Sequence, residues 1–343
     1  MGAGQKLAYG LIGLGRINRA HLEGLRRASD VASIMAVCDV DRGAAERVAA
    51  ECGAQLYTDY RELLRDSRIA VADIALPHNL HFEVANAALA AGKHVLIEKP
   101  MAPTFRECED LIALAQAKGL TLSVAHHGRF VTAYLEVQRL LNQGALGTPR
   151  LIRTLIYGSE FRYLTDASHW RSRAAGSIGG AIMDSGPHSI FLLKWLFGEI
   201  DTLRAFTEKL IDASEVEDNA IVTGRLKSGT LFTTQYTFTA ENFFSERLEV
   251  YGSKGTLVID QLRDPPAIFY HGEKDLTGEV ISSIRFDPAG WKFHAQVDGV
   301  EAFAKAVARG EAPPVDPRDA AYVIKVIETA YASVRSGGSI VRV

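Results

Sequence analysis

The chain has 343 residues, 47% of them hydrophobic and 23% charged, with a formal net charge of −3. That length fits two domains with a sizeable core, and without a basic excess nucleic acid is not an expected partner. Cys38, Cys52 and Cys108 lie far apart with no CxxC spacing, which argues for a reducing compartment and against a disulfide framework or a zinc knuckle.

No apolar run reaches bilayer length, so no membrane association is expected. Lys6 stands where a myristoylated N-terminus wants Ser or Thr, and with few residues before the first strand no signal peptide is expected. A cytoplasmic protein is expected.

The first third alternates regularly. Residues 7–12 form an apolar strand, and Gly13-Leu14-Gly15 turns the chain into a helix running to about residue 28. A second strand covers 34–38, followed by an Ala- and Glu-rich helix over 43–52. A short helix over 59–66 has Asp59 placed to cap it. Residues 71–76 form a third strand closed by Pro77, and a helix over 81–91 is stopped by Gly92. Strand 95–97, a helix over 104–118, Gly119 and a strand over 120–125 complete the series. Strands alternating with helices of this length imply βαβ units and a parallel sheet covered on both faces.

After about residue 128 the rhythm changes. An amphipathic helix over 133–143 leads to Gly144 and Gly147-Thr148-Pro149, and strand-like segments then run to about residue 285: 151–157, 203–207, 220–226, 230–238, 247–251 and 256–259. "LKSGTLF" and "YGSKGTLVI" read as hairpin turns. Helices over 293–309 and 318–335 close the chain. The expected division is an α/β dinucleotide-binding domain over 1–127 and, over 128–343, an α+β domain with a large, mostly antiparallel open sheet for substrate binding and oligomerisation.

Three stretches carry chemistry. Gly13-x-Gly15 sits between the first strand and its helix, where Gly13 permits the tight turn and Gly15 lets the backbone approach a pyrophosphate. Asn18 stands where the usual third glycine would be. Asp39, 24 positions after Gly15 at the end of the next strand, can accept hydrogen bonds from the adenosine ribose and would repel the extra phosphate of NADP. One such charge pair at about 4 Å is worth roughly 1 kcal/mol in water and about 4 at an intermediate dielectric. NAD is therefore expected over NADP, with Arg42 near enough to soften the preference.

The second stretch, "HVLIEKPMA", carries Lys99 out of an apolar strand at the edge where ligands bind in open α/β sheets. An ammonium group there can donate to a substrate oxygen near the nicotinamide. The third is "GSIGGAIMDSGPHSIFLLKWLF", in which Asp184 and His188 stand four apart, the spacing that puts two side chains on one helix face. A carboxylate beside an imidazole suits a general base. Pro187 between them predicts that the helix begins near Asp184 or bends there.

These motifs, together with Arg16-Ile17, His21, "GRFVTAY", "GALGTP" and "HWR", resemble the Gfo/Idh/MocA oxidoreductases, relatives of glucose-fructose oxidoreductase and inositol dehydrogenase, in order and spacing over nearly the whole chain. The resemblance implies an N-terminal Rossmann sheet, a C-terminal sheet that packs into a homo-dimer or homo-tetramer, and a catalytic trio of Lys99, Asp184 and His188. It further implies cofactor contacts from Gly13, Gly15, Arg16, Ile17, Asp39, Pro77, Asn79, His81, Glu98 and Lys99, and a Lys99-Pro100 bond that is often cis in relatives. His127, Arg129, Tyr157, Asp166, His169, Trp170 and Arg171 join the trio as substrate-pocket candidates. His126 and His127, read as adjacent on a strand end, would face opposite ways and chelate poorly, and no metal site is expected.

The function so implied is NAD-dependent oxidation of a hydroxyl on a sugar, polyol or inositol-like small molecule. Two alternatives remain open at this point: a glycosidase of the same fold that oxidises and re-reduces its sugar, and a non-catalytic dinucleotide-binding regulator. The physiological direction of the redox step is also open.

Overall fold

A run of six apolar or small residues, Leu7–Ile12, is buried at every position. Such a strand has both faces covered and belongs inside a parallel sheet. The computed structural model, which describes residues 6–241, 243–271, 279–280 and 291–343, places it there. In the first unit, strands β1 (Leu7–Ile12), β2 (Ala32–Cys38), β3 (Gln55–Tyr57), β4 (Val71–Ile74), β5 (His94–Ile97) and β6 (Leu122–Val124) form one sheet in the order β3-β2-β1-β4-β5-β6. Every pairing is parallel.

Local signals stop and start the intervening helices. Asp59 accepts from the N–H of Arg61, and Asp41 accepts from those of Gly43 and Ala44. Thr104 and Glu107 form a capping box. Gly92 and Gly119 take the positive φ that ends a helix.

Contacts divide the chain as 1–127 with 292–324, and 128–291 with 325–343. A single cut at residue 127 therefore does not describe it. The reason is burial: Val300, Phe303, Ala304 and Val307, from the helix Trp291–Arg309, lie in one core with Leu7, Tyr9, Leu11, Leu22 and Leu25. A Cβ on Gly24 would fall 2.6 Å from the Cβ of Val300, so glycine lets the two helices approach. Ser123 Oγ also donates to the carbonyl of Val315 at 2.9 Å.

The second unit is built on a nine-stranded sheet: β7 (Pro149–Tyr157), β8 (Ile200–Glu208), β9 (Asn219–Leu226), β10 (Leu231–Thr237), β11 (Ser245–Gly252), β12 (Gly255–Asp260), β13 (Ala267–His271), β14 (Glu279–Val280) and β15 (Val341–Arg342). Its order is β14-β13-β12-β11-β7-β10-β9-β8-β15, and only the central β7–β10 pair is parallel. Alternate residues of β7 and β10 are buried, and the helix Ala181–Phe197 packs on β9 and β10. There Ser189 and Tyr236 share a buried hydroxyl contact of 2.5 Å.

Both "LKSGTLF" and "YGSKGTLVI" close antiparallel pairs, β9–β10 and β11–β12. Strands β3, β13, β14 and β15 lie outside the strand segments expected from sequence, and residues 272–278 and 281–285 of the expected strand-like stretch lie outside the described residues. Among the described residues no helix is long and apolar enough to cross a membrane.

Candidate active site

In the first unit Cys38, Ile12, Ile74, Ile97 and Val124 stand in register across the parallel sheet. The residues that follow them therefore share one edge: Asp39, Gly13, the 75–79 loop, Glu98-Lys99 and His126. Sheet order reverses between β1 and β4, the position where open α/β sheets hold their ligands.

The turn after β1 fits a dinucleotide. Gly13 has φ +92°, and a Cβ there would lie 2.3 Å from the carbonyl oxygen of Ala75. Gly15 is exposed, and a Cβ there would meet nothing within 4 Å, leaving open space above the turn. The helix Asn18–Arg27 has no side-chain cap and no acidic residue in its first turn, so its start is electropositive. Asp39 Oδ2 accepts from the N–H of Leu14 at 2.7 Å, and Oδ1 from that of Asp41 at 2.8 Å. Arg42 pairs with Glu46 across one helical turn. Arg16 and Asn79 are exposed, and Ile17 and Pro77 half-buried. Asn18 is buried and directs its amide N–H to the carbonyl of Gly13 at 3.4 Å, tying the helix back to the turn in the place of the third glycine.

Around Lys99 the structure is densely polar. The Lys99-Pro100 bond is cis. Glu98 Oε2 accepts from the Lys99 N–H at 3.1 Å, and Oε1 lies 3.2 Å from His21 Nε2. His21 Nδ1 in turn lies 2.8 Å from Asp73 Oδ1. Burial by itself would lower the His21 pKa, but Asp73 and then Glu98 raise it to about 10. His81 is fully buried, with its ring nitrogens 2.5 Å from the Pro100 carbonyl and 2.9 Å from that of Leu76. It braces the loops after β4 and β5. His126 and His127 are not on a strand: β6 ends at Val124, and the chain turns so that both rings are buried. Burial lowers both to about 3. Asp73 is the residue that sequence reasoning missed. Its signal is a carboxylate in the middle of an otherwise apolar buried strand, "VADI".

In the second unit the helix Ala181–Phe197 begins at Gly180 and runs through Pro187. It starts three residues before Asp184, which lies in its first turn; at Pro187 one internal N–H is lost but the helix continues, and the pair keeps its i, i+4 relation. Between Ala181 and Leu193 only Asp184 and His188 are not buried. Asp184 Oδ2 lies 3.9 Å from Arg171 Nε. The Arg171 guanidinium covers the Trp170 ring at 4.4 Å and the Tyr163 ring at 5.3 Å, and the His169 ring contacts both, at 5.9 Å and 4.6 Å between centroids.

His169, Trp170, Arg171 and Asp184 thus form one cluster, to which Tyr163 is an addition. Asp166 instead closes an exposed turn through Ser168. Tyr157 donates to Gln235 at 2.6 Å, and Arg129 covers the Trp195 ring at 4.4 Å. Sequence reasoning also missed Glu217, which, unlike Asp73, has no sequence signal; it accepts from the N–H groups of Gly180 and Ile182 at the helix start. Among the described residues no group of three or more His, Cys, Asp and Glu is arranged for a metal.

The family model described as "oxidoreductase family, NAD-binding Rossmann fold" matches residues 7–126, and that of the GFO/IDH/MocA C-terminal domain matches 134–258. The chain belongs to the Gfo/Idh/MocA oxidoreductase family, with an NAD-binding N-terminal domain. It is 30% identical over 282 residues to an uncharacterised oxidoreductase of Synechocystis sp., covering 78% of this chain and 74% of that one. It is 25% identical over 320 residues to myo-inositol 2-dehydrogenase of Thermotoga maritima, covering 91% and 92%. Its fold matches that of a levoglucosan dehydrogenase solved with NADH and levoglucosan, at a TM-score of 0.89 and 22% identity over 99% of this chain and 100% of that one.

Proposed function

We propose that this protein oxidises a hydroxyl group of a sugar, polyol or inositol-like small molecule, with Lys99, Asp184 and His188 acting on the substrate. The observation that carries the reading is the placing of Asp184 and His188: one helical turn apart, and the only two side chains left unburied over the first thirteen residues of their helix. NAD, when bound, supplies the hydride acceptor. His188 takes the hydroxyl proton, and Asp184 orients that imidazole and stabilises its charged form. Lys99 donates to the reacting oxygen. The open space over Gly15, the uncapped helix start and Asp39 fit the pyrophosphate and adenosine ribose. The Tyr163–His169–Trp170 rings offer apolar faces for the C–H side of a ring-shaped substrate. A second copy would cover the exposed cross-strand neighbours Phe206 and Ile221 of the large sheet.

The test is a screen of aldoses, inositols and sugar acids for NAD reduction at 340 nm, with His188→Ala and Lys99→Ala alongside. A correctly placed proton-transfer group contributes about 10²–10⁴ in rate, so both variants should lose kcat by that order while still binding NAD. Parental turnover in both would refute the assignment. Substrate cleavage with no net NADH would point to the glycosidase alternative.

A further inference from the structure

Asp73, His21 and Glu98 come from three separate elements and meet in the interior of the first unit. His21 is 1% exposed and Asp73 2%. Both carboxylates address the same ring, Asp73 at Nδ1 and Glu98 at Nε2. Filling that space with apolar side chains of similar volume would be neutral or better for stability, because taking ions out of water costs about what their pairing returns. Stability alone therefore does not account for the trio. What it provides that apolar residues could not is an ionised, oriented Glu98, whose second oxygen receives the N–H of Lys99. Against the burial that would raise it, His21 lowers the Glu98 pKa, with Lys99 and His127 acting in the same direction, and Asp73 acts on Glu98 only through the His21 ring it holds at Nδ1. On the far side, His81 holds the carbonyl of Pro100, and Met101 and Ala102 are buried. The backbone bearing Lys99 is thus pinned before and after the lysine.

We infer that His21 and Asp73 are positioning residues for Lys99, acting through the carboxylate of Glu98. The inference rests on the proposed role of Lys99 in hydroxyl oxidation. It assigns two residues from outside the substrate pocket to the accuracy of that step. A displacement of the order of 1 Å in a reacting group costs about 10²-fold in rate.

The test uses the full chain carrying His21→Leu with Asp73→Leu, which removes both charges together and leaves no lone buried carboxylate at position 73. Asp73→Asn, nearly the same shape, serves as a second variant should the double substitution fail to fold. Two quantities are read: kcat against the NAD dissociation constant, and hydrogen exchange at the Lys99 amide, which needs no substrate. The expected result is an NAD affinity within about threefold of the parent, a kcat lower by about 10²-fold for the pair, and exchange at the Lys99 amide faster by about tenfold or more. Asp73→Asn should move the same two readouts in the same direction by less. A folded variant with parental kcat and parental Lys99 protection overturns the inference. If the parent oxidises no polyol, the functional reading fails, while the exchange measurement still decides whether the trio holds Lys99.

Discussion

The N–H of Leu14, between the two glycines of the first turn, donates to Asp39 Oδ2 at 2.7 Å. The carboxylate expected to meet the adenosine ribose is therefore also a strut of the turn expected to meet the pyrophosphate. Asp39→Asn should relax discrimination against NADP by about tenfold to a thousandfold, the span of one charge–phosphate repulsion between a near-aqueous and an intermediate dielectric. It should also cost about 1 kcal/mol of stability through the weakened bond to Leu14. Comparing kcat/KM for NAD and NADP, together with urea midpoints, checks both parts. An unchanged cofactor ratio would remove Asp39 from the ribose site.

Three buried histidines of the first unit set opposite limits on stability with pH. His126 and His127 are lowered by burial from 6.5 to about 3. Below pH 6.5 the unfolded chain takes up protons that the folded chain refuses, so stability present above 6.5 falls as the pH drops towards 3. The slope is at most about 1.4 kcal/mol per pH unit for each ring. His21, held near 10 by Asp73 and Glu98 against the lowering effect of burial, behaves in reverse: its stabilisation is complete below 6.5 and is lost as the pH rises through about 10. Urea midpoints at pH 5, 7 and 9.5 should trace both limbs. His127→Gln should flatten only the acid limb, and His21→Gln only the alkaline one.

Period and punctuation made the first sheet legible. "LAYGLI" is apolar at every position and buried at every position, and Asp59, Gly92 and Gly119 mark helix ends through chemistry local to each residue. Strand β3, with only "QLY" between turns, carries too few residues to show a period. The helix Trp291–Arg309 was legible as a helix but not in its allegiance, because an apolar stripe of Val300, Phe303 and Val307 does not say which core receives it. The same holds at the site. Lys99, Asp184 and His188 stand in recognisable motifs, whereas His21 with Asp73 and Glu217 with Gly180 are pairs 52 and 37 residues apart. Nothing in either local sequence announces the other.

Gly13 and Gly15 should separate folding from binding. Alanine at 13 would put a Cβ 2.3 Å from the Ala75 carbonyl in a left-handed backbone conformation, a strain of about 1–3 kcal/mol before any clash is counted. Alanine at 15 meets nothing within 4 Å. Gly13→Ala should therefore lower the melting temperature and NAD affinity together. Gly15→Ala should leave melting unchanged while weakening NAD by about tenfold, about 1.4 kcal/mol. Tight NAD binding by Gly15→Ala would mean that the pyrophosphate does not pass over this turn.

Glu217 holds the start of the helix that carries Asp184 and His188. Its carboxylate accepts from the N–H of Gly180 at 3.0 Å, from that of Ile182 at 3.1 Å and from the Tyr331 hydroxyl at 2.7 Å. Its own carbonyl accepts from Ala181, and a Cβ on Gly180 would lie 1.8 Å from that carbonyl oxygen. Glu217→Gln turns one acceptor into a donor facing buried donors, at a cost of about 1–3 kcal/mol. Tyr331→Phe removes one partner and should cost about 1 kcal/mol. Because the NAD site is built from the other unit, both variants should bind NAD as the parent does. Glu217→Gln should lose kcat as the register of His188 loosens. Thermal melts, an NAD titration and kcat on one substrate distinguish these effects, and parental melting in Glu217→Gln would show that the helix start does not depend on this carboxylate.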